Sequence, residues 1–169
     1  MTSGFVVSLD NSGNLKYSLN GTTLQPPSVV PCFSVYQSSG LNQVVGNGSS
    51  VVILNTKQFD TNNNFDAVTT YRFTPTIAGY YQFSFGIFSI DNNITNFRAE
   101  LAKNGSAVAQ GPYTQTGIYV WVSNSSALVY LNGSTDYVQL RANNGSGVNI
   151  TLISGLVNVY LSGFLARSA

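Results

Sequence analysis

From residue 79 to residue 90 the chain reads GYYQFSFGIFSI, with Tyr81, Phe83 and Phe85 alternating with Tyr80, Gln82, Ser84 and Gly86. Successive side chains of a strand point to opposite sides of a sheet. The spacing therefore predicts a long strand with one packed aromatic face and one mixed face. The same period of two recurs along the chain. It predicts strands at 32–37, 50–55, 71–75, 79–90 and 96–104, a short one near 106–110, then 117–123, 125–132, 136–143 and 155–167. Turn clusters such as NNN, DNN, KNG, NSS and NGS separate them at the intervals of a β-sandwich. No segment sustains apolar residues at i, i+3, i+4 and i+7, so no helix is predicted.

The first 25 residues carry their own alternation. Phe5, Val7 and Leu9 precede the turn DNSGN, and Leu15, Tyr17 and Leu19 follow it, which predicts a short N-terminal β-hairpin arm over 1–25. Pro26, Pro27 and Pro31 stop sheet and helix in a linker over 26–31, and the main domain occupies 32–169. A two-stranded hairpin is marginal alone in water. Those six apolar residues are therefore candidates for attachment to a partner: the main domain, a symmetry mate or a different protein.

Only 8% of the residues are charged, against roughly 25% in an average soluble protein. Asn, Ser, Thr, Gly and Tyr take their place, which suits turns and strand faces rather than exposed helices. The net charge is +1 and the basic residues are scattered, so nothing could follow a phosphate backbone and no nucleic-acid partner is expected. A surface this poor in charge repels its neighbours weakly, which favours a subunit packed against others. Cys32 is alone and reads as a buried small hydrophobe, so no intrachain disulfide forms. The N-terminus lacks a signal-peptide pattern, and charge-free runs such as 73–90 are interrupted by polar residues and proline, so no membrane insertion is expected. Asn-x-Ser/Thr triplets at Asn20, Asn47, Asn93, Asn104, Asn124, Asn132, Asn144 and Asn149 read mostly as turn chemistry rather than glycosylation sites.

The chain has no histidine, which removes the usual general base, most zinc sites and any Ser-His or Cys-His pair. No phosphate-binding or dinucleotide fingerprint is present, so no cofactor is expected and no catalytic residue is assigned. Asp60 and Asp66, in FDTNNNFD, are weak calcium candidates that match no loop motif, and no metal site is assigned. Asp66 reads more simply as a loop-fixing acceptor, with Arg72 as a partner. Tyr113, Tyr119, Trp121 and Tyr137 could stack on sugar rings, although strand aromatics serve more often in a core or an interface. The chemistry points away from an enzyme.

The order PCFSVYQ, VVILNTKQFDTNNNFD, YRFTPTIAGYYQF, AELAKNGS, SALVYLNGSTDYVQL, YLSGFLARS resembles the C1q/TNF-like jelly-roll domain over roughly residues 31–169. Asn64, Phe65, Asp66, Phe73, Gly79, Tyr81 and Phe83 occupy motif positions of that family, as do the corner Lys103–Gly105 and the closing Ser162, Gly163, Phe164 and Leu165. The resemblance implies an all-β, ten-stranded antiparallel jelly-roll sandwich that forms a homotrimer with aromatic residues along its three-fold axis. Tyr36, Tyr81, Phe83, Phe85, Tyr130 and Tyr160 are the candidates for trimer interface or core. The sequence is also similar to C1q-like domains of bacteriophage virion structural proteins. Read as complete from Met1, with no stalk, it suggests a trimeric capsid decoration (cement) protein on the head shell, with the major capsid protein as partner. The alternative is the receptor-binding tip of a tail fibre or spike, with Asn92, Asn93, Tyr113, Asn143 and Asn144 as outer-loop residues for a host surface glycan.

Overall fold

The computed structural model describes residues 5–9, 15–19, 22–24, 30–92, 94–113 and 120–169. The chain divides into two compact units, Met1–Val30 and Pro31–Ala169. Asn20, Pro26, Pro27, Asn93 and Tyr119 lie outside the described residues, as do the side chains of Phe5, Leu9, Leu15, Tyr17 and Leu19.

In the first unit, β1 (Phe5–Leu9), β2 (Leu15–Leu19) and β3 (Thr22–Leu24) form one antiparallel sheet in that order. Phe5 pairs with Leu19, Leu9 with Leu15, and Tyr17 with Leu24. The expected hairpin thus gains a third strand, because the β-branched Thr22 and Thr23 fold back onto β2. Val6 and Val7 are exposed.

The second unit begins with β4 (Cys32–Tyr36), β5 (Gln43–Val45), β6 (Gly48–Val51) and β7 (Thr56–Asp60). Two-residue strands follow, β8 (Phe65–Asp66) and β9 (Arg72–Phe73), and then the long β10 (Gly79–Ser89). The chain continues through β11 (Phe97–Lys103), β12 (Ser106–Gln110) and β13 (Trp121–Leu131). It ends with β14 (Val138–Asn144), β15 (Ile150–Leu152) and β16 (Tyr160–Ser168). One sheet has the order β5-β15-β10-β16-β4-β7, with β13 on the other side of β10. The other has the order β12-β11-β14-β9-β8, and β6 also pairs with β14. Every ladder is antiparallel, and the two sheets face each other as a jelly-roll-like sandwich.

Aromatic rings fill the space between the sheets. Tyr81, Phe83, Phe85 and Ile87 of β10 are fully buried with Phe33, Phe73, Phe97, Leu101 and Leu140. Phe33 stacks on Phe73 at 4.3 Å between ring centres, and Phe73 meets Tyr81 edge-on at 5.5 Å. Burial pushes the Tyr81 hydroxyl pKa up to about 12, and that hydroxyl donates to the Ile77 carbonyl. Gly163 sits where β16 crosses these rings: a Cβ there would lie 2.7 Å from Phe83 and 3.0 Å from Phe33.

Thirteen strands are described in this unit, where the sequence suggests ten, and the differences have local causes. The stretch expected at 50–55 leaves the ladder after Val51, because Val52 and Leu54 turn into the core. Pairing resumes at Thr56, against β4. The expected break between 117–123 and 125–132 is absent over the described part: β13 pairs with β10 without interruption from Trp121 to Leu131. Asn124 is therefore a mid-strand residue and not a turn residue. The last strand starts at Tyr160 rather than 155, since Gly155 (φ +130°) opens a turn closed by Asn158 and Val159 amides on its carbonyl. The corner at Asn132 behaves as expected of turn chemistry: Asn132 Oδ1 accepts the amides of Ser134, Thr135 and Asp136.

Candidate functional site

β13, β10, β16 and β4 lie side by side, and their registers align the outward side chains in rows. One row is Ser126, Ser84, Ser162 and Ser34. On one side of it run Leu128, Gln82, Phe164 and Cys32, and then Tyr130, Tyr80 and Arg167. On the other side run Asn124, Gly86, Tyr160 and Tyr36, and then Val122 and Phe88. Leu128 is 58% exposed, Phe164 50%, Tyr80 44% and Tyr130 41%. Tyr80 and Tyr130 meet edge-on at 5.4 Å, and the Tyr160 ring lies over Gly86, where a Cβ would come within 2.9 Å. Arg167 is the one charged residue in these rows. The outer face of an antiparallel sheet is normally polar; one rich in aromatic and aliphatic side chains and nearly free of charge has the make-up of an interface core.

The outer face of the opposite sheet is built differently. The row from β8 to β11 is Asp66, Arg72, Gln139 and Ala102, and the next is Val51, Arg141, Glu100 and Gln110. Ser49, Asn143 and Arg98 form the third. Glu100 is only 4% exposed because it gathers its neighbours. Its Oε1 accepts from Arg98 Nε at 3.1 Å, Gln110 Nε2 at 3.1 Å and Asn143 Nδ2 at 3.0 Å, and its Oε2 accepts from Ser49 Oγ at 3.1 Å. One carboxylate thus ties together side chains of β6, β11, β12 and β14. Arg98 also lies over the Tyr113 ring at 4.1 Å, and Arg72 over the Tyr137 ring at 4.7 Å.

The C1q domain model matches residues 32–166. The chain belongs to the C1q domain family. Among solved structures, the globular domain of zebrafish complement 1qA protein is 19% identical, with a TM-score of 0.61 over 83% of this chain and 99% of that one. Eiger TNF from S. frugiperda is 10% identical, with a TM-score of 0.67 over 83% and 94%. The PRD1 vertex protein P5 is 13% identical, with a TM-score of 0.55 over 99% of this chain and 84% of that one. At these identities the likeness is one of fold. No curated protein matches the chain.

Within this C1q domain the sequence candidates separate cleanly. Tyr81, Phe83 and Phe85 belong to the core, whereas Tyr36, Tyr130 and Tyr160 share the nearly uncharged outer face. Cys32 is not buried in the core; it is half-buried on that same outer face, beside Phe164. Tyr80, Leu128 and Phe164 escape the candidate set, although the period of two places each of them opposite a core residue. Trp121 is a core residue whose Nε1 donates to the Asp91 carbonyl. Of the outer-loop candidates, Asn92 and Tyr113 are exposed, Asn143 is a strand residue bonded to Glu100, and Asn144 is fully buried, its Nδ2 donating to the Val45 and Val148 carbonyls.

Asp60 and Asp66 are committed to separate loops. Asp60 accepts from Lys57 Nζ and the amides of Asn64 and Phe65. Asp66 accepts from the amides of Val68, Thr69 and Thr70 and from the Thr70 hydroxyl. The Thr70 hydroxyl bond and those amides hold the Asp66 carboxyl well below the usual carboxylate range. Arg72 does not pair with it, because its guanidinium is drawn over Tyr137. Among the described residues no group of three or more His, Cys, Asp or Glu could hold a metal ion, and no helix is long and apolar enough to cross a membrane. The domain has a protein-interaction architecture with no catalytic arrangement among its described residues.

Proposed function

We propose that this C1q domain is a non-enzymatic structural protein that assembles as a homotrimer through the outward face of β13, β10, β16 and β4. The observation that carries this reading is the composition of that face: exposed Leu128, Phe164, Tyr80, Tyr130 and Val122 around a serine row, with charge only at its margin, in Arg167 and in the Lys103 ammonium beside Tyr130. Burying such a face against its own copies removes apolar area from water at roughly 25 cal/mol per Å² and desolvates almost no charge.

The trimer serves as a decoration protein on the surface of a virus particle, and the first unit, Met1–Val30, is its attachment device on the capsid. The likeness to a vertex protein, which spans 99% of the chain and so reaches into that unit, supports the reading. So do the exposed Val6 and Val7, since a three-stranded sheet of 30 or fewer residues is too small to bury a core of its own. Removing residues 1–25 is expected to leave a soluble trimer that no longer binds capsids; undiminished capsid binding would refute the attachment role. Locating the protein on particles separates head from tail: many copies over the shell fit decoration, and a few copies confined to the tail fit the receptor-tip alternative.

A further inference from the structure

The polar outer face of β8, β9, β6, β14, β11 and β12 combines features that a solvated sheet face does not require. Arg72, Arg98 and Arg141 share it with two carboxylates, Asp66 and Glu100, both already saturated by donors of the chain. Arg141 spends its terminal nitrogens on the Gly105 and Ser49 carbonyls. The other two guanidiniums keep donors in hand. Among the described residues Arg98 uses only Nε, on Glu100, and the Arg72 guanidinium has no hydrogen bond or ion pair at all. Each is held flat by a tyrosine, Tyr113 or Tyr137, which fixes a long side chain before any ligand arrives.

The amides between them are oriented as well. Gln139 donates through Nε2 to the Thr70 carbonyl, and Asn143 through Nδ2 to Glu100, so both carbonyl oxygens are left as acceptors. At the Arg72 end the face opens into a cleft lined also by Lys57, Asn64 and Thr74, and the buried Oδ1 of Asn64 has no hydrogen-bond partner in the protein. A buried acceptor without a donor is costly, and a ligand hydroxyl would satisfy it.

We propose that this face binds an acidic polysaccharide, with Arg72 and Arg98 each taking one carboxylate of the polymer and the intervening amide oxygens and Asn64 accepting its hydroxyls. Arg72 and Arg98 are two strands and four residues apart, about 16 Å at the usual strand spacing and rise. At that separation the two guanidiniums engage carboxylates several sugars apart on one chain, with the hydroxyls of the sugars between them free to meet the amides. A DNA strand carries no free sugar hydroxyls along its length for these amide oxygens to accept. The proposal rests on this face alone. Failure of the trimer reading would show in the protein's mass, and failure here would show in binding.

The test is calorimetric titration of the purified protein with alginate oligosaccharides, with dextran and poly(dT) as the neutral and nucleic-acid comparisons. Saturable alginate binding that weakens with salt, and no dextran binding, are expected. Arg72→Ala should lower alginate affinity about fivefold, and Arg98→Gln by a similar factor, with Arg72→Ala melting like the parent. Arg72→Gln serves if the alanine variant folds poorly. Absence of alginate binding, equal binding of dextran, poly(dT) binding as tight as alginate, or indifference to the Arg72 variants would each overturn the proposal.

Discussion

Asp66 spends both carboxylate oxygens on donors of its own turn, and its acidity follows from that. The folded carboxyl lies below the value near 3.9 of an unfolded chain, so the turn favours the charged form. Its contribution to stability is complete above about pH 4 and is lost as pH falls through the folded value. Asp66→Ala should therefore melt at a lower temperature than the parent at pH 7, and the gap should narrow steadily below about pH 4; a gap unchanged between pH 5 and pH 2 would contradict this assignment. Asp136 shares the sign, its carboxyl held down first by the hydrogen bond from Lys103 and then by that from Asn104. Gly163 makes the opposite kind of demand. Gly163→Ala forces a methyl against Phe83 and Phe33 and should cost about 1–3 kcal/mol in denaturant unfolding. The acceptor role of Asp66 is legible in FDAVTT, because its donors are local. The turning of Arg72 toward Tyr137 is not legible, because it depends on a residue far away in sequence that reaches the same edge only when β9 pairs with β14.

The elements with dominant burial are the ones a sequence displays. In β10 the aromatic alternation survives because each of Tyr81, Phe83 and Phe85 must be inside, and one residue of slip would expose all three. β5, β8 and β15 are invisible for the converse reason: two or three residues carry no period, and only a partner strand makes them extended. β13 misleads because NSS resembles a corner. In place, Ser123 is fully buried, and its hydroxyl accepts the Ala99 amide and donates to the Pro112 carbonyl, which ties β13 to the opposite sheet. Ser123→Ala leaves that buried amide unpaired and should cost about 1–3 kcal/mol, measured by chemical denaturation. A variant as stable as the parent would show that the tie contributes nothing.

At the scale of the molecule, the two sheets of one sandwich turn unlike faces outward. One carries Glu100 and the arginines; the other carries serines, tyrosines, Leu128 and Phe164 with Arg167 at the margin. The jelly-roll class is legible because alternation, turn spacing and the order of motifs agree. Which outward face is uncharged is not, since alternation separates two sides of a strand without saying which neighbours align beside it. Tyr36, Tyr130 and Tyr160 come together only through the registers of four strands. Leu128→Arg places a charge on the most exposed apolar position of the nearly uncharged face, on its outer strand β13. It is expected to keep the parent's circular dichroism spectrum while weakening self-association. The most direct measurement is the solution mass of the unmodified protein by light scattering at micromolar concentration. A mass close to three times the 18.1 kDa chain, falling toward a single chain in Leu128→Arg, is the expected result. A single-chain mass for the unmodified protein would contradict self-assembly through this face.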